Sequence, residues 1–253
     1  MKIAVCIKQV PTREWQPRLN DQKTWVREQD VSYEMNEPDA YALEEALRLR
    51  EKHSGEVVVC SAGPARVQSV VREALARGAD RAIHVEDDRL GAADASVVAG
   101  ALAAAMRDEQ FDLVLTGLQS DDQGHGQTGV ILAEGLGMVS STIIMEVQVE
   151  GGSVRVKREL EGGWFQWIGM PLPALLTIQS GINQLRYATL KGIMAAKKKE
   201  IRKVALPDGL QPSQQIVGLA VPTRSKQTRI IGGSPTDAAR ELVRCLREDA
   251  RAL

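Results

Sequence analysis

The run Thr116-Gly117-Leu118-Gln119-Ser120-Asp121-Asp122-Gln123-Gly124-His125-Gly126-Gln127-Thr128-Gly129 gathers the residue types in this chain best suited to holding an anion. Gly117, Gly124, Gly126 and Gly129 let the backbone approach a phosphate closely. Gln127, Thr128 and Gly129 open a helical pattern whose first N–H groups and dipole favour negative charge. The spacing is that of neither a Walker A loop, since no Gly-Lys-Ser/Thr follows, nor a G-x-G-x-x-G placed after a first strand. The loop is read as a nucleotide cradle, with a merely flexible glycine-rich loop as the bland alternative. His125 has no acidic orienter or nucleophile at a telling position and is not read as a general base.

The cradle needs a scaffold, and the apolar pattern supplies one. Lys2 to Ile7, Glu56 to Cys60, Arg81 to Val85 and Leu113 to Thr116 are short Val/Ile/Leu-rich runs, as expected of buried strands. Helical patterns lie between them at Pro38 to Lys52, Ala65 to Arg77 and Ala92 to Arg107, and another runs from Thr128 to Leu136. Asn36 is the expected cap of the first of these helices, and Gly78 ends the second. This alternation predicts an α/β fold with a doubly wound, mostly parallel sheet. Its carboxyl edge is where such sheets bind ligands. Cys6-Ile7-Lys8 and Ser61-Ala62-Gly63-Pro64 should meet the loop there, with Asn36, Glu37, Pro38 and Asp39 closing the pocket.

After Leu136 the pattern changes to late, partly antiparallel strands: Ser141 to Glu150, Val154 to Leu160, Gly163 to Ile168 and Ala174 to Ile178. Gly151-Gly152 and Gly162-Gly163 serve as hairpin turns. Trp164, Phe165 and Trp167 crowd the second hairpin, either as core or as a subunit contact. Residues 1–206 form the expected α/β domain, including a segment at 183–199. Residues 207–253 form an extended C-terminal arm and a terminal helix capped by Ser234, which needs either this domain or a partner subunit to pack on.

Composition removes several function classes. The 253 residues carry a net charge of -1, which gives no overall field for nucleic acid or anionic lipid. No apolar run approaches the roughly eighteen residues of a membrane span, so no stable membrane association is expected. The opening residues read as a strand and not as a signal peptide, which predicts a cytoplasmic location. Cys6, Cys60 and Cys245 form no CxxC pair and are expected to be buried and inert. With three histidines and no His/Cys cluster, no metal or other inorganic redox centre is expected.

Several stretches resemble the β subunits of electron-transfer flavoproteins: Val5-Cys6-Ile7-Lys8-Gln9, Asn36-Glu37-Pro38-Asp39 with Leu43-Glu44-Glu45-Ala46, and Gly78-Ala79-Asp80-Arg81-Ala82. The late part is more specific: Arg158-Glu159-Leu160-Glu161-Gly162-Gly163, Pro173-Ala174-Leu175-Leu176-Thr177-Ile178, and Gly181-Ile182-Asn183 leading to Arg186-Tyr187-Ala188-Thr189-Leu190. The resemblance implies a non-enzymatic electron carrier, a heterodimer whose α subunit holds most of the FAD while this chain binds a structural AMP. It implies AMP contacts at Cys6, Asn36, Glu37, Pro38, Asp39, Ala62, Gly117, Asp122, Gln123, Gly124, Gly126, Gln127, Thr128 and Gly129. Gly126 and the run Gln123-Gly124-His125 depart from the relatives' pattern. Thr128-Gly129 looks like the AMP type and unlike the bifurcating relatives that bind a second FAD.

The same resemblance makes Asn183 to Lys199 a docking segment for flavin dehydrogenases, with Leu190 as anchor and Tyr187, Ile193 and Met194 beside it. Lys197-Lys198-Lys199 would help by steering. Read from the residues alone, the segment is a short amphipathic helix packed on the sheet with a solvated basic end. Glu159 would pair with an α-subunit arginine, or stand as a solvated strand charge. The rival from another class is a free-standing ATP-binding or regulatory module of the adenine-nucleotide α-hydrolase-like fold.

Overall fold

The computed structural model describes residues 1–29, 31–222 and 228–252. Seven strands run parallel: β1 (Lys2–Cys6), β4 (Glu56–Gly63), β5 (Arg81–Glu86), β6 (Leu113–Gly117), β7 (Val139–Glu150), β10 (Ala174–Ile178) and β11 (Ile201–Val204). β8 (Ser153–Glu159) and β9 (Phe165–Pro171) extend the sheet antiparallel beyond β7. The order is β11-β5-β4-β1-β6-β10-β7-β8-β9, and β2 (Gln9–Pro11) with β3 (Tyr33–Met35) makes a separate antiparallel pair. The doubly wound, mostly parallel architecture expected from the alternation is thus the one found. β2, β3 and β11 were not anticipated, because three or four residues are too few to show a period.

The helices follow the sequence signals with small shifts. α1 (Glu37–His53) begins with Pro38 in its first turn and has Glu37 and Asp39 at its start and Arg50, Lys52 and His53 at its end, which complements the helix dipole. α2 (Gln68–Arg77) ends at Gly78, whose φ of 137° suits the stop. α3 (Ala95–Met106) starts later than its alanine-rich pattern suggests, because Asp94 caps it by accepting from Val97 N at 3.0 Å. α4 (Thr128–Leu136) and the short α5 (Leu190–Ala196) complete the body.

Two apolar clusters occupy the two faces of the sheet. Leu43, Leu47, Val71 and Leu75 of α1 and α2 pack with Ile3, Val5, Val57 and Leu115. Leu102, Met106 and Leu132 of α3 and α4 pack with Ala4, Val58, Ile83 and Val114 on the other. Alternate residues of the central strands β1, β4, β6 and β10 feed opposite clusters, as the pleat requires.

The chain divides into two compact units, Met1–Leu219 and Ala220–Leu253. The first thirteen residues beyond position 206 therefore belong with the α/β body, where the Asp94 carboxylate receives Ser213 N and Gln214 N at 2.6 and 2.9 Å. The second unit contains α6 (Pro235–Arg244), capped by Ser234 Oγ, which accepts from Asp237 N at 3.3 Å. Cys6 and Cys60 are buried, but Cys245 is only half-buried, because it lies in this second unit and not in the sheet.

Candidate functional site

Chain order reverses direction around β1: α1 leads to β4 on one side, and α3 leads to β6 on the other. The carboxyl ends of β1, β4 and β6 therefore splay apart into a cleft. Cys6, Ile7 and Lys8 come from the end of β1, Ala62 from β4, Asn36 and Asp39 from the start of α1, and Thr116 through Ser120 from β6 and its loop. Gln123, His125, Gly126, Gln127, Thr128 and Gly129 complete that side. Of the residues expected here from the sequence, Glu37, Pro38, Ser61, Gly63, Pro64, Asp121, Asp122 and Gly124 stand outside the lining, all but Pro64 next in sequence to a residue that belongs to it.

Asp39 ties the two strand ends together. Its Oδ2 accepts from Lys8 N at 2.7 Å and its Oδ1 from Gly117 N at 2.8 Å. Burial pushes this carboxyl up to about 7, against the pull of those backbone donors. Pro38 Cβ lies 2.7 Å from where a Cβ on Gly117 would stand, so only glycine lets β6 approach α1 this closely.

Asn36 does not use its side chain to cap α1. Its Nδ2 donates to Gln119 O at 3.0 Å and its Oδ1 accepts from Asp121 N at 2.9 Å, so the amide braces the loop after β6. Lys8 Nζ makes a second brace, reaching Asp122 Oδ1 at 2.7 Å, Gln123 Oε1 at 3.1 Å and Ser120 Oγ at 3.3 Å. Arg13 pairs with Glu37 and lies 3.6 Å from Asp121 Oδ2. The loop is held in shape by α1 and β1 rather than left slack, which disfavours the merely flexible reading.

The far end of the cleft is the start of α4. Gln127, at the cap position, makes no side-chain hydrogen bond to the helix, so the first-turn N–H groups have no protein cap. Gly129 brings this turn against the sheet: a Cβ there would stand 2.7 Å from Thr177 Cγ2 and 2.8 Å from Thr116 Oγ1. Gly124 and Gly126 adopt φ of 65° and 63°, where glycine carries no Cβ penalty.

One wall escaped the sequence reading. Leu90, Gly91, Ala93, Ala95, Val98 and Leu102, from the turn after β5 and from α3, close the cleft with an apolar surface. Their signal was the apolar stripe of α3, which shows burial but not what it borders. Cys6 lies at this wall, directly across the β1–β4 register from Cys60. Burial raises both thiols, Cys60 to about 12, so they are neutral. His125 is exposed on the rim. Among the described residues, no group of three or more His, Cys, Asp or Glu is placed to hold a metal ion, and no helix is long and apolar enough to cross a membrane.

The segment 183–199 lies on α1 and α2. Tyr187 and Leu190 are 89% and 83% exposed, Met194 is 62% exposed and Ile193 is exposed as well. Ala196 is buried. Thr189 Oγ1 caps α5 by accepting from Gly192 N at 3.0 Å. Lys199 is not part of a free basic end: its ammonium donates to Leu75 O at 3.0 Å and Ala79 O at 2.5 Å, closing the C-terminus of α2. Lys197 and Lys198 are exposed.

On the β8–β9 hairpin, Trp164, Phe165 and Trp167 are all exposed, which overturns the core-packing alternative. Arg155 lies over the Trp167 ring at 4.5 Å and Lys157 over Phe165 at 4.3 Å, so alkyl stems and cations cover part of the rings. Glu159, at the end of β8, is half-buried and accepts a hydrogen bond from Gln179 Nε2 at 3.4 Å.

Comparison with known proteins gives a consistent result. A family model described as "Electron transfer flavoprotein domain" matches residues 23–209. The chain is similar to the electron transfer flavoprotein subunit beta of Methylophilus methylotrophus, 36% identical over 261 residues that cover 98% of each chain. It is similar to that of Bacillus subtilis (strain 168), 34% identical over 236 residues, 90% of this chain and 91% of that one. The subunit of Homo sapiens is 36% identical over 258 residues, 99% and 98% of the two chains.

Proposed function

The chain belongs to the electron transfer flavoprotein beta-subunit family, and we propose that it is the AMP-binding half of a heterodimeric carrier that docks flavin dehydrogenases through Leu190. The observation that carries the nucleotide reading is the uncapped start of α4, facing a cleft already braced by Asp39, Asn36 and Lys8. A phosphate suits the N–H groups of the first turn and the Thr128 hydroxyl, whose bonds no other side chain takes up by capping. The apolar wall from Leu90 to Leu102, with Cys6 and Ala62, suits the flat face of an adenine base. AMP bound there would join three strand ends and act structurally.

The reversible electron acceptor of the heterodimer is the FAD held mainly by the α subunit. This chain's part is to help cover that flavin, with Glu159 offered to an α-subunit arginine, and to present a landing surface to the electron donor. Leu190, with Tyr187, Ile193 and Met194, forms that surface. Burying one leucine is worth about 1.5–3 kcal/mol, enough to orient an encounter without prolonging it. A carrier that must leave after each transfer needs this weakness.

Co-expression with an α subunit, followed by mass identification of the released nucleotides, tests the cofactor reading. One AMP and one FAD per heterodimer is the expected result. Two FAD would move the chain to the bifurcating type, and a stable monomer binding ATP would favour the regulatory module. For docking, Leu190→Ala is expected to slow reduction by the donor about tenfold, with FAD content unchanged. Loss of FAD from that variant would instead make Leu190 a structural residue.

A further inference from the structure

α5 has only seven residues, too few to hold a helix by local bonding alone, yet its large apolar side chains, Leu190, Ile193 and Met194, are exposed and only Ala196 is buried. The chain on either side of it is fastened to two different helices. On the N-terminal side Arg186 bridges two carboxylates of α1: Nε reaches Glu44 Oε2 at 2.7 Å, and Nη1 reaches Glu51 Oε1 at 2.5 Å. Glu44 is buried, and the cost of burying its charge is outweighed by Arg186 and by Arg48 at 2.8 Å, which hold its carboxyl below the usual range. Asn183 Nδ2 adds bonds to Tyr41 O at 3.1 Å and Glu45 Oε2 at 3.0 Å. On the C-terminal side Arg72 Nη1 of α2 donates to Ala196 O at 2.6 Å and Lys199 O at 2.8 Å.

We propose that Arg186 is a positioning residue for electron transfer: clamped to Glu44 and Glu51, it holds residues 187–196 as a preformed landing surface rather than a loop that orders on contact. This rests on the docking reading given above. A surface ordered in advance loses less conformational freedom when a donor lands, which favours association that is fast and still weak. A guanidinium spans both carboxylates, whereas an ammonium serves one at a time. Arg48 keeps Glu44 paired when Arg186 is replaced, so the fold survives the test.

Amide hydrogen exchange is measured on the heterodimer carrying Arg186→Gln, Arg186→Lys or Glu51→Gln, alongside steady-state reduction by a flavin dehydrogenase chosen because it reduces the wild-type heterodimer. In Arg186→Gln, exchange across residues 187–196 is expected to rise about tenfold, as for loss of a charge-assisted hydrogen bond. The KM for the heterodimer should rise by a similar factor with kcat little changed. Arg186→Lys and Glu51→Gln, each of which leaves one half of the clamp paired, should both lie between wild type and Arg186→Gln. Unchanged exchange in Arg186→Gln overturns the clamp while leaving docking at Leu190 intact. Faster exchange with unchanged KM, in a background where Leu190→Ala is also without effect, overturns the docking reading and this proposal with it.

Discussion

Asp39 shows how much one side chain can be asked to do. It joins β1 to β6 through two backbone N–H groups, at the cost of burying a carboxyl. An asparagine has one oxygen and would turn its amide donors toward the other N–H, so Asp39→Asn is expected to destabilise the chain by about 1–3 kcal/mol. The pH dependence has a definite sign. The folded-state value of about 7 lies above the usual carboxylate value of 3.8, so the native state binds this proton more tightly than the unfolded chain does. Its contribution to stability is fully present below pH 3.8, falls as pH rises, and is gone above about 7. Urea-unfolding midpoints collected across that range should decline less steeply in Asp39→Asn than in the wild type. An equal decline in both would assign the titration to another group. Lys199 makes a similar point: three consecutive lysines look equivalent in sequence, but this one spends its ammonium on the α2 carbonyls.

At the scale of elements, the cleft depends on how closely α4 meets the sheet. Gly129→Ala places a methyl within 2.7 Å of Thr177 Cγ2 and 2.8 Å of Thr116 Oγ1, both on β-strands that cannot retreat far. The first turn of α4 must shift, which is expected to cost about 1–3 kcal/mol and to lower the nucleotide retained on purification. Full retention together with an unchanged melting temperature would show that α4 is not fixed by this contact. The β8–β9 hairpin illustrates a different constraint. β9 is an edge strand, and Arg155 and Lys157 stacked on Trp167 and Phe165 put charge beside its apolar rings, a recognised way to discourage unwanted strand pairing.

At the scale of the whole molecule, a chain with a net charge of -1 has little global field of its own, so any steering by it falls to local charge. Lys191, Lys197 and Lys198 are exposed around the proposed landing surface, while Lys199 is not available. Reduction by a donor is therefore expected to slow as salt rises, and replacing Lys197 and Lys198 by glutamine should flatten that dependence. A salt response unaffected by the double replacement would place the steering charges elsewhere. The residue pattern by itself determined the parallel core and the hairpins, because buried strands and amphipathic helices write their environments into apolar periodicity. The glycine-rich turn after β6 was legible for the same reason: few residue types tolerate its backbone. Only the tertiary structure decided that Leu90 to Leu102 wall the cleft, that Asn36 braces a loop instead of capping its helix, that the hairpin aromatics face outward, and that Arg186 grips α1. Each of these depends on which segments meet across the sheet, and periodicity along one segment carries no information about what lies opposite it.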